Sequence, residues 1–175
     1  MDDIFIKSAL SSTIKTRWLG RRFYLFHTID STNTRLKMMS AQGEPAGTMV
    51  LAEHQSSGRG RLGRQWHAPA GSSLLFSLLF RPDWPAERVQ WLMMIASLTA
   101  IEAIKLETGL DLRIKWPNDL VMGNRPALRK CGGILMEGDI QDSTVRSAVV
   151  GVGINVNIPS AQLAETAAQA TSLQV

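Results

Sequence analysis

Residues 58–64 read GRGRLGR, three arginines among three glycines. The run lies between GTMVLAEHQ and SSLLFSLLF, two apolar stretches that read as buried strands. A chain built this way must carry a charged, flexible connection between two strands of a sheet. Its glycines let the main chain approach a ligand and take up positive φ, at an entropic cost of roughly 0.5–1 kcal/mol each relative to alanine in regular structure. The spacing matches neither a G-x-G-x-x-G turn followed by an acidic residue nor a loop ending in G-K-[ST]. It still offers backbone N–H groups and guanidinium forks, donors that suit carboxylates and phosphates. Arginine–glycine segments that bind RNA are usually longer and disordered. A loop held between strands is better placed to close over a small anion.

The rest of the chain supplies the sheet. RRFYLFHTI reads as a strand running into DSTNTRLKMMSA, where Asp30 or Ser31 caps a helix whose apolar face includes Leu36 and Met39. Residues 86–108 form the clearest helix, with Val89, Leu92, Met93, Ala96, Ala100, Ile101 and Ile104 at spacings of three and four, ended by Gly109. Its methionines and Trp91 are read as core. LRIKW, the turn PND and LVM suggest a hairpin-like strand pair, with Pro117 closing the first strand. The polar loop GNRPALRK leads into the strand CGGILMEG, and SAVVGVGINVN completes the sheet. The alanine-rich tail AQLAETAAQATSLQV starts a helix. Several strands with two helices, without regular βαβ alternation, predict an α+β fold: a mixed, largely antiparallel sheet with helices packed on one side. No repeat or linker divides residues 1–175, so one domain is expected.

Composition narrows the function. A chain of 175 residues with 45% hydrophobic and 19% charged residues can bury a core without metals or disulfides. Cys131 is the sole cysteine, which excludes an internal disulfide and a CxxC metal site and fits a reducing compartment. The start, MDDIFIKSAL, lacks the basic and apolar regions of a secretory signal. The longest apolar stretch carries Gln90, Glu102 and Lys105 and reads as too interrupted for a membrane span. A cytoplasmic protein without membrane contact is the expectation. The formal charge of +4 is common on enzymes that bind anions. Arg17, Arg21 and Arg22 flank a strand and read as a solvated edge.

Further cations and amides follow the loop. Lys115 stands at the end of a strand, Asn118 and Asp119 on the turn after it, and Lys130 just before CGG. Each alone is equally readable as a surface ion-pairing group, Asp119 as a turn residue, and Ser31 as a plain helix cap. Their order carries more: DSTN, EHQSSGRGRLGRQW, KWPND, KCGGILMEG and GVGINVN, spread from residue 30 to residue 157. This succession resembles the catalytic domain of biotin protein ligases, also called biotin–[acetyl-CoA-carboxylase] ligases, whose fold is related to class II aminoacyl-tRNA synthetases.

The resemblance implies a monofunctional ligase with a two-step reaction. Biotin and ATP, with Mg²⁺, form biotinoyl-5′-AMP, and the acyl group passes to one lysine of a biotin carboxyl carrier protein domain. Arg59, Arg61 and Lys130 match positions that hold the biotin carboxylate and phosphate, and Lys115 joins the catalytic set. Ser31, Thr32, Asn33 and Gln55 match the biotin-head site, with main-chain groups at Gly58, Arg59 and Gly60. Hydroxyls and an amide supply the donors and acceptors that a ureido ring requires. Gly133, Gly151 and Gly153 would leave room along the valeryl chain. Arg64, Asn118 and Asn155 fall on the nucleotide side, and Trp66 resembles the tryptophan that packs over adenine. Asp119 would orient the acceptor amine, whose free pKa is near 10.4. A loop that opens for substrates and closes over the adenylate shields a reactive anhydride from water, so residues 58–65 are expected to be poorly ordered without ligand.

Two departures from the family pattern set further expectations. The first motif lies too near the start for a winged-helix DNA-binding domain, so no operator DNA is expected. The SH3-like barrel that follows ATSLQV in the family is also expected to be absent, which makes a module that binds biotin or its adenylate without transfer one alternative. A lipoate ligase or octanoyltransferase is the nearest enzymatic rival. A nucleic-acid binder would be revealed by steep salt dependence. A homodimer through sheet edges is common in the family.

Overall fold

The computed structural model describes residues 3–124, 126–166 and 169–174. Arg125, inside the polar loop GNRPALRK, and Ala167, Ala168 and Val175 of the tail lie outside them. One seven-stranded sheet organises the chain, in the order β1-β2-β3-β7-β6-β5-β4. The strands are β1 (Phe23–Ile29), β2 (Met49–Gln55), β3 (Ser73–Phe80), β4 (Arg113–Lys115), β5 (Asp119–Met122), β6 (Arg129–Gln141) and β7 (Thr144–Asn155). β1 and β2 pair in parallel, and every other neighbouring pair is antiparallel. The sheet is therefore mixed and largely antiparallel, and the class is α+β, as expected. Lys115 and Asp119 face each other across the tight β4–β5 pair, which sets PND on the turn.

The helices are α1 (Asp3–Thr13), α2 (Thr32–Ala41), α3 (Gln90–Thr108) and α4 (Ser160–Thr166). Ser31 caps α2, its side chain accepting the Thr34 N–H. Gly109 closes α3 in the left-handed region at φ +74°, and its N–H donates to the Lys105 carbonyl. α1 is not foreseen from the sequence.

One expectation fails in a way that matters for the site. On one face Leu36 of α2 packs with Ile29, Val50, Ala52, Leu79 and Val149. On the other, Leu92 and Ile104 of α3 pack with Ile134, Ala148, Val150, Val152, Phe76 and Phe80. Leu79 alternates with Phe80 along β3, and Val149 with Ala148 and Val150 along β7, so these sets point to opposite faces. The helices are divided between the two faces rather than packed on one side, and α2 shares its face with the cavity described below. Leu36 and Leu79 are completely buried, each contributing roughly 1.5–3 kcal/mol of hydrophobic stabilisation.

α3 corrects a second reading. The heptad-like face from Val89 to Ile104 meets the sheet as expected, but Trp91 and Met94 are about half exposed, on a stripe with Ile95 and Leu98. Met94 lies roughly opposite Leu92 on the helical wheel and Trp91 about a quarter turn from it, and at this exposure neither is core. The run Ala86–Thr108 is also long and apolar enough to cross a membrane by length and composition, so Gln90, Glu102 and Lys105 do not exclude that on sequence grounds. The two apolar faces of a sheet-covering helix account for this content.

After α4 the chain returns alongside the sheet. The Lys130 N–H donates to Gln169 O (2.7 Å) and the Thr171 N–H to Lys130 O (2.8 Å). Farther along, Leu173 N–H reaches Asn155 O and Gln174 N–H reaches Val156 O, both at 2.9 Å. Residues 169–174 thus clasp the chain at Lys130 and at the end of β7.

Candidate active site

The α2 face of the sheet is open where β3, β7 and β6 run past the glycine–arginine loop, and a cavity of about 320 Å³ lies there. Its polar floor comes from the β1–α2 junction and the end of β2. The backbone N–H and the hydroxyl of Thr32 both donate to Gln55 Oε1, at 2.7 and 3.0 Å. Ser31 accepts the Thr34 N–H at 3.5 Å, which leaves its hydroxyl proton for another partner. Capping and ligand binding are compatible at this residue.

Asn33 has a different task. Its amide Nδ2 donates to Leu135 O (3.2 Å) and Glu137 Oε2 (3.0 Å), and its Oδ1 accepts from Ser77 Oγ at 2.6 Å. Ser77 Oγ also lies 2.8 Å from the Thr32 hydroxyl. Asn33 lines the cavity but spends its hydrogen-bonding groups on the scaffold. Ser77, completely buried, escapes the sequence reading; a polar residue between Leu75 and Leu79 on the inward face of SSLLFSLLF is the signal that marks it.

The loop folds as a small closed hairpin. The Gly60 N–H donates to Arg64 O (2.8 Å) and the Trp66 N–H to Gly58 O (2.9 Å), with Leu62 at the tip in the left-handed region at φ +57°. Arg61 Nη1 crosses the cavity to Asn118 Oδ1 at 3.3 Å. Arg59, Gly60 and Arg64 line the cavity as well. Gly58 does not: it is buried at the hairpin's base, its carbonyl is taken by Trp66, and an added Cβ would strike the Trp66 carbonyl.

The three sheet glycines Gly133, Gly151 and Gly153 line the cavity, and the chain's own side chains crowd two of them, Gly151 and Gly153. Gly133 and Gly153 are cross-strand partners, and Leu135 pairs with Gly151. A Cβ at Gly151 would collide with the Asn33 amide, and one at Gly153 would come within 2.9 Å of the Trp66 indole. At Gly133 the nearest atom is Lys130 Cε, 3.4 Å away. Trp66 therefore rests against the sheet, 5.6 Å from Lys130 Nζ at its ring centre, with its buried indole N–H unpartnered.

Lys130 Nζ pairs with Asp119 Oδ1 at 2.6 Å. Beyond this pair lies a second cavity of about 360 Å³. Asn155 lines it, donating from Nδ2 to Thr171 O (3.0 Å) while its buried Oδ1 has no partner. Arg64, Trp66, Lys115, Asp119 and Lys130 line both cavities, whereas Ser31, Thr32, Gln55 and Asn118 line only the first. Neutral hydrogen-bonding groups thus floor one chamber, and cations gather where the two chambers share a wall. Among the described residues no group of three or more His, Cys, Asp or Glu side chains could hold a metal.

Glu137, which the sequence reading passes over, stands behind the first cavity. Burial pushes its carboxyl up, but the Asn33 hydrogen bond and the Lys37 and Arg59 charges outweigh that and hold it below the ordinary carboxylate range. A lowered folded-state value adds stability above the unfolded value and loses it as pH falls through the folded one. The loss of thermal stability on acidification below about pH 4.3 should therefore be shallower in Glu137→Gln than in the parent, as melting curves across that range would test.

Residues 25–155 match the biotin/lipoate A/B protein ligase family. The bifunctional ligase/repressor BirA of Bacillus subtilis is 33% identical over 151 residues, 86% of this chain and 45% of that protein. The biotin–[acetyl-CoA-carboxylase] ligase of Paracoccus denitrificans is 36% identical over 129 residues, 73% of this chain and 51% of its own length. The chain thus spans about half the length of these relatives. Among solved structures, the biotin protein ligase from Aquifex aeolicus in complex with biotin and ATP superposes with a TM-score of 0.65 at 32% identity, covering 87% of this chain and 60% of that one.

Proposed function

The chain belongs to the biotin/lipoate A/B protein ligase family, its matched segment being a biotin protein ligase catalytic domain, and from that premise we propose that it joins biotin to ATP and passes the activated acyl group to a carrier lysine. The observation that carries this reading is the shared wall of the two cavities, lined by Arg64, Lys115 and Lys130. A carboxylate in the first chamber meets a phosphate in the second at that wall.

In the first step a biotin carboxylate oxygen attacks the α-phosphorus and pyrophosphate leaves. Two anions must approach, and negative charge accumulates on the phosphoryl oxygens. Lys130 and Arg61 are already placed to offset it, the condition under which electrostatic stabilisation is most effective. Each holds a partner within the protein meanwhile: Lys130 the Asp119 carboxylate and Arg61 the Asn118 amide. The incoming anions compete for those cations, and Asp119 is released as Lys130 turns to the ligand. In the second step the acceptor amine attacks the acyl carbon and AMP leaves, with the freed Asp119 orienting the amine. Ser31, Thr32 and Gln55 take the ureido head, and Trp66 moves from its place on Gly153 to cover the adenine. Mg²⁺ enters bound to the ATP phosphates, as part of the substrate. A biotin carboxyl carrier protein domain is the acceptor, and a cytoplasmic location follows from these partners.

The direct test incubates the protein with biotin, α-labelled ATP and a carrier domain. Labelled AMP together with streptavidin-reactive carrier is the expected result. Adenylate without transfer would reduce the function to a binding and activating module, and neither product would overturn the reading. Arg61→Gly removes the strut across the cavity and should release adenylate several-fold faster than the parent in a rapid-quench trace. Equal release would remove Arg61 from the closing role.

A further inference from the structure

Glu137 has no part in the chemistry above, yet it holds more partners than any other acid near the cavity. Its side chain is only 16% exposed. Lys37 Nζ donates to Oε1 at 2.9 Å and Asn33 Nδ2 to Oε2 at 3.0 Å. Arg59 Nη1 lies across both oxygens, 3.1 Å from Oε1 and 3.2 Å from Oε2. Asn33 and Lys37 are one helical turn apart on α2, and Arg59 stands at the base of the arginine–glycine hairpin. One carboxylate on β6 therefore joins the helix that floors the cavity to the loop that closes it.

We infer that Glu137 is a positioning residue for biotin activation, acting through Arg59 to hold the base of the hairpin so that its tip closes over the cavity. The hairpin carries few other anchors. Its internal bonds, Gly60 to Arg64 and Trp66 to Gly58, fix its shape; at the base the Trp66 indole on Gly153 and the Ser57 N–H on Asp30 O (2.9 Å) join Arg59 in holding it to the sheet, and Arg61 reaches across at the tip by a single 3.3 Å contact. With the base held, the tip needs only a small rotation to open and close. With it released, the whole hairpin swings. The inference rests on the activity proposed above only where it concerns adenylate; the tether itself is independent of any substrate.

Brief trypsin treatment of the full chain, read by mass spectrometry, tests the tether without ligand. Cleavage after Arg61 and Arg64, normalised to cleavage after Arg17, exposed in the loop after α1 and lining neither cavity, should rise about fivefold in Glu137→Gln, the size expected when a half-exposed ion pair is lost. Glu137→Asp keeps the charge and should recover part of the protection, whereas Lys37→Met spares the loop link and should stay near the parent. Added salt should speed loop cleavage in the parent and not in Glu137→Gln, a difference that a purely structural role would not produce. A normalised ratio within twofold of the parent, or equal salt response, overturns the proposal. In the second measurement, Glu137→Gln and Arg59→Gln should each shorten retention of biotinyl adenylate, and the double variant should be no worse than either. Additive losses would overturn the coupling. A parent that makes no adenylate sinks the proposed activity instead, while the proteolysis result still decides the tether.

Discussion

Lys130→Met should slow adenylate formation by about 10²–10³-fold, the loss expected when a preorganised group facing developing negative charge is removed. The ammonium stands at the wall shared by both cavities and is already oriented, with Asp119 2.6 Å away on one side and the Trp66 ring on the other. Folding should change little, because the Lys130–Asp119 pair is partly open to solvent and such pairs contribute at most about 1 kcal/mol. Lys130→Arg keeps the charge but replaces a compact point donor with a planar fork, so it should recover only part of the rate. Single-turnover formation of labelled adenylate, beside a melting curve, separates chemistry from stability. A drop of less than about threefold would mean that the cation is not where charge develops.

Gly151→Ala should produce the largest loss of stability. The new methyl would occupy the space of the Asn33 amide, and both neighbouring strands of β7 are hydrogen-bonded along this stretch, so neither can withdraw. Asn33 would have to turn away, leaving Leu135 O without its side-chain donor and Glu137 and Ser77 without an amide partner. Overpacking costs typically 1–3 kcal/mol, and a buried polar group left unpaired costs about 1–3 kcal/mol more. At the roughly 2–4 °C per kcal/mol expected of a chain this size, the midpoint should fall by about 5–15 °C. Biotin affinity should fall with it, because Thr32 shares Ser77 with Asn33. Differential scanning calorimetry and titration with biotin would measure both, and a midpoint within 2 °C of the parent would contradict the crowding at this position.

Much of the architecture is legible in the chain because its strands alternate cleanly and its helices carry local caps. β1, β2, β3, β6 and β7 fall where their apolar runs predict, Ser31 caps α2, and Gly109 ends α3, all decided by residues within a few positions of one another. The facing of the helices is not legible in this way. Parity separates Leu79 from Phe80, but nothing local says that α2 covers the first and α3 the second. α3 also carries two apolar stripes, and composition alone cannot tell the one with Leu92 from the one with Trp91. Within the cavity, Ser31, Thr32, Gln55, Arg61, Asn118 and Lys130 come together from motifs far apart in sequence. What the motifs leave unsaid is how those residues hold one another: Glu137 meets Asn33 and Arg59 across about a hundred and about eighty positions, and such contacts exist only once the sheet has formed.

The clasp formed by residues 169–174 gives the end of the described chain an influence out of proportion to its length. Lys130 is stitched on both its amide and its carbonyl to this short return, so its ammonium inherits whatever alignment the return adopts. Tension or slack in that stitch would re-aim a single positive charge by a fraction of an ångström, a mechanical adjustment delivered through the backbone from the rim of the second cavity, which Gln169 and Ala170 also line.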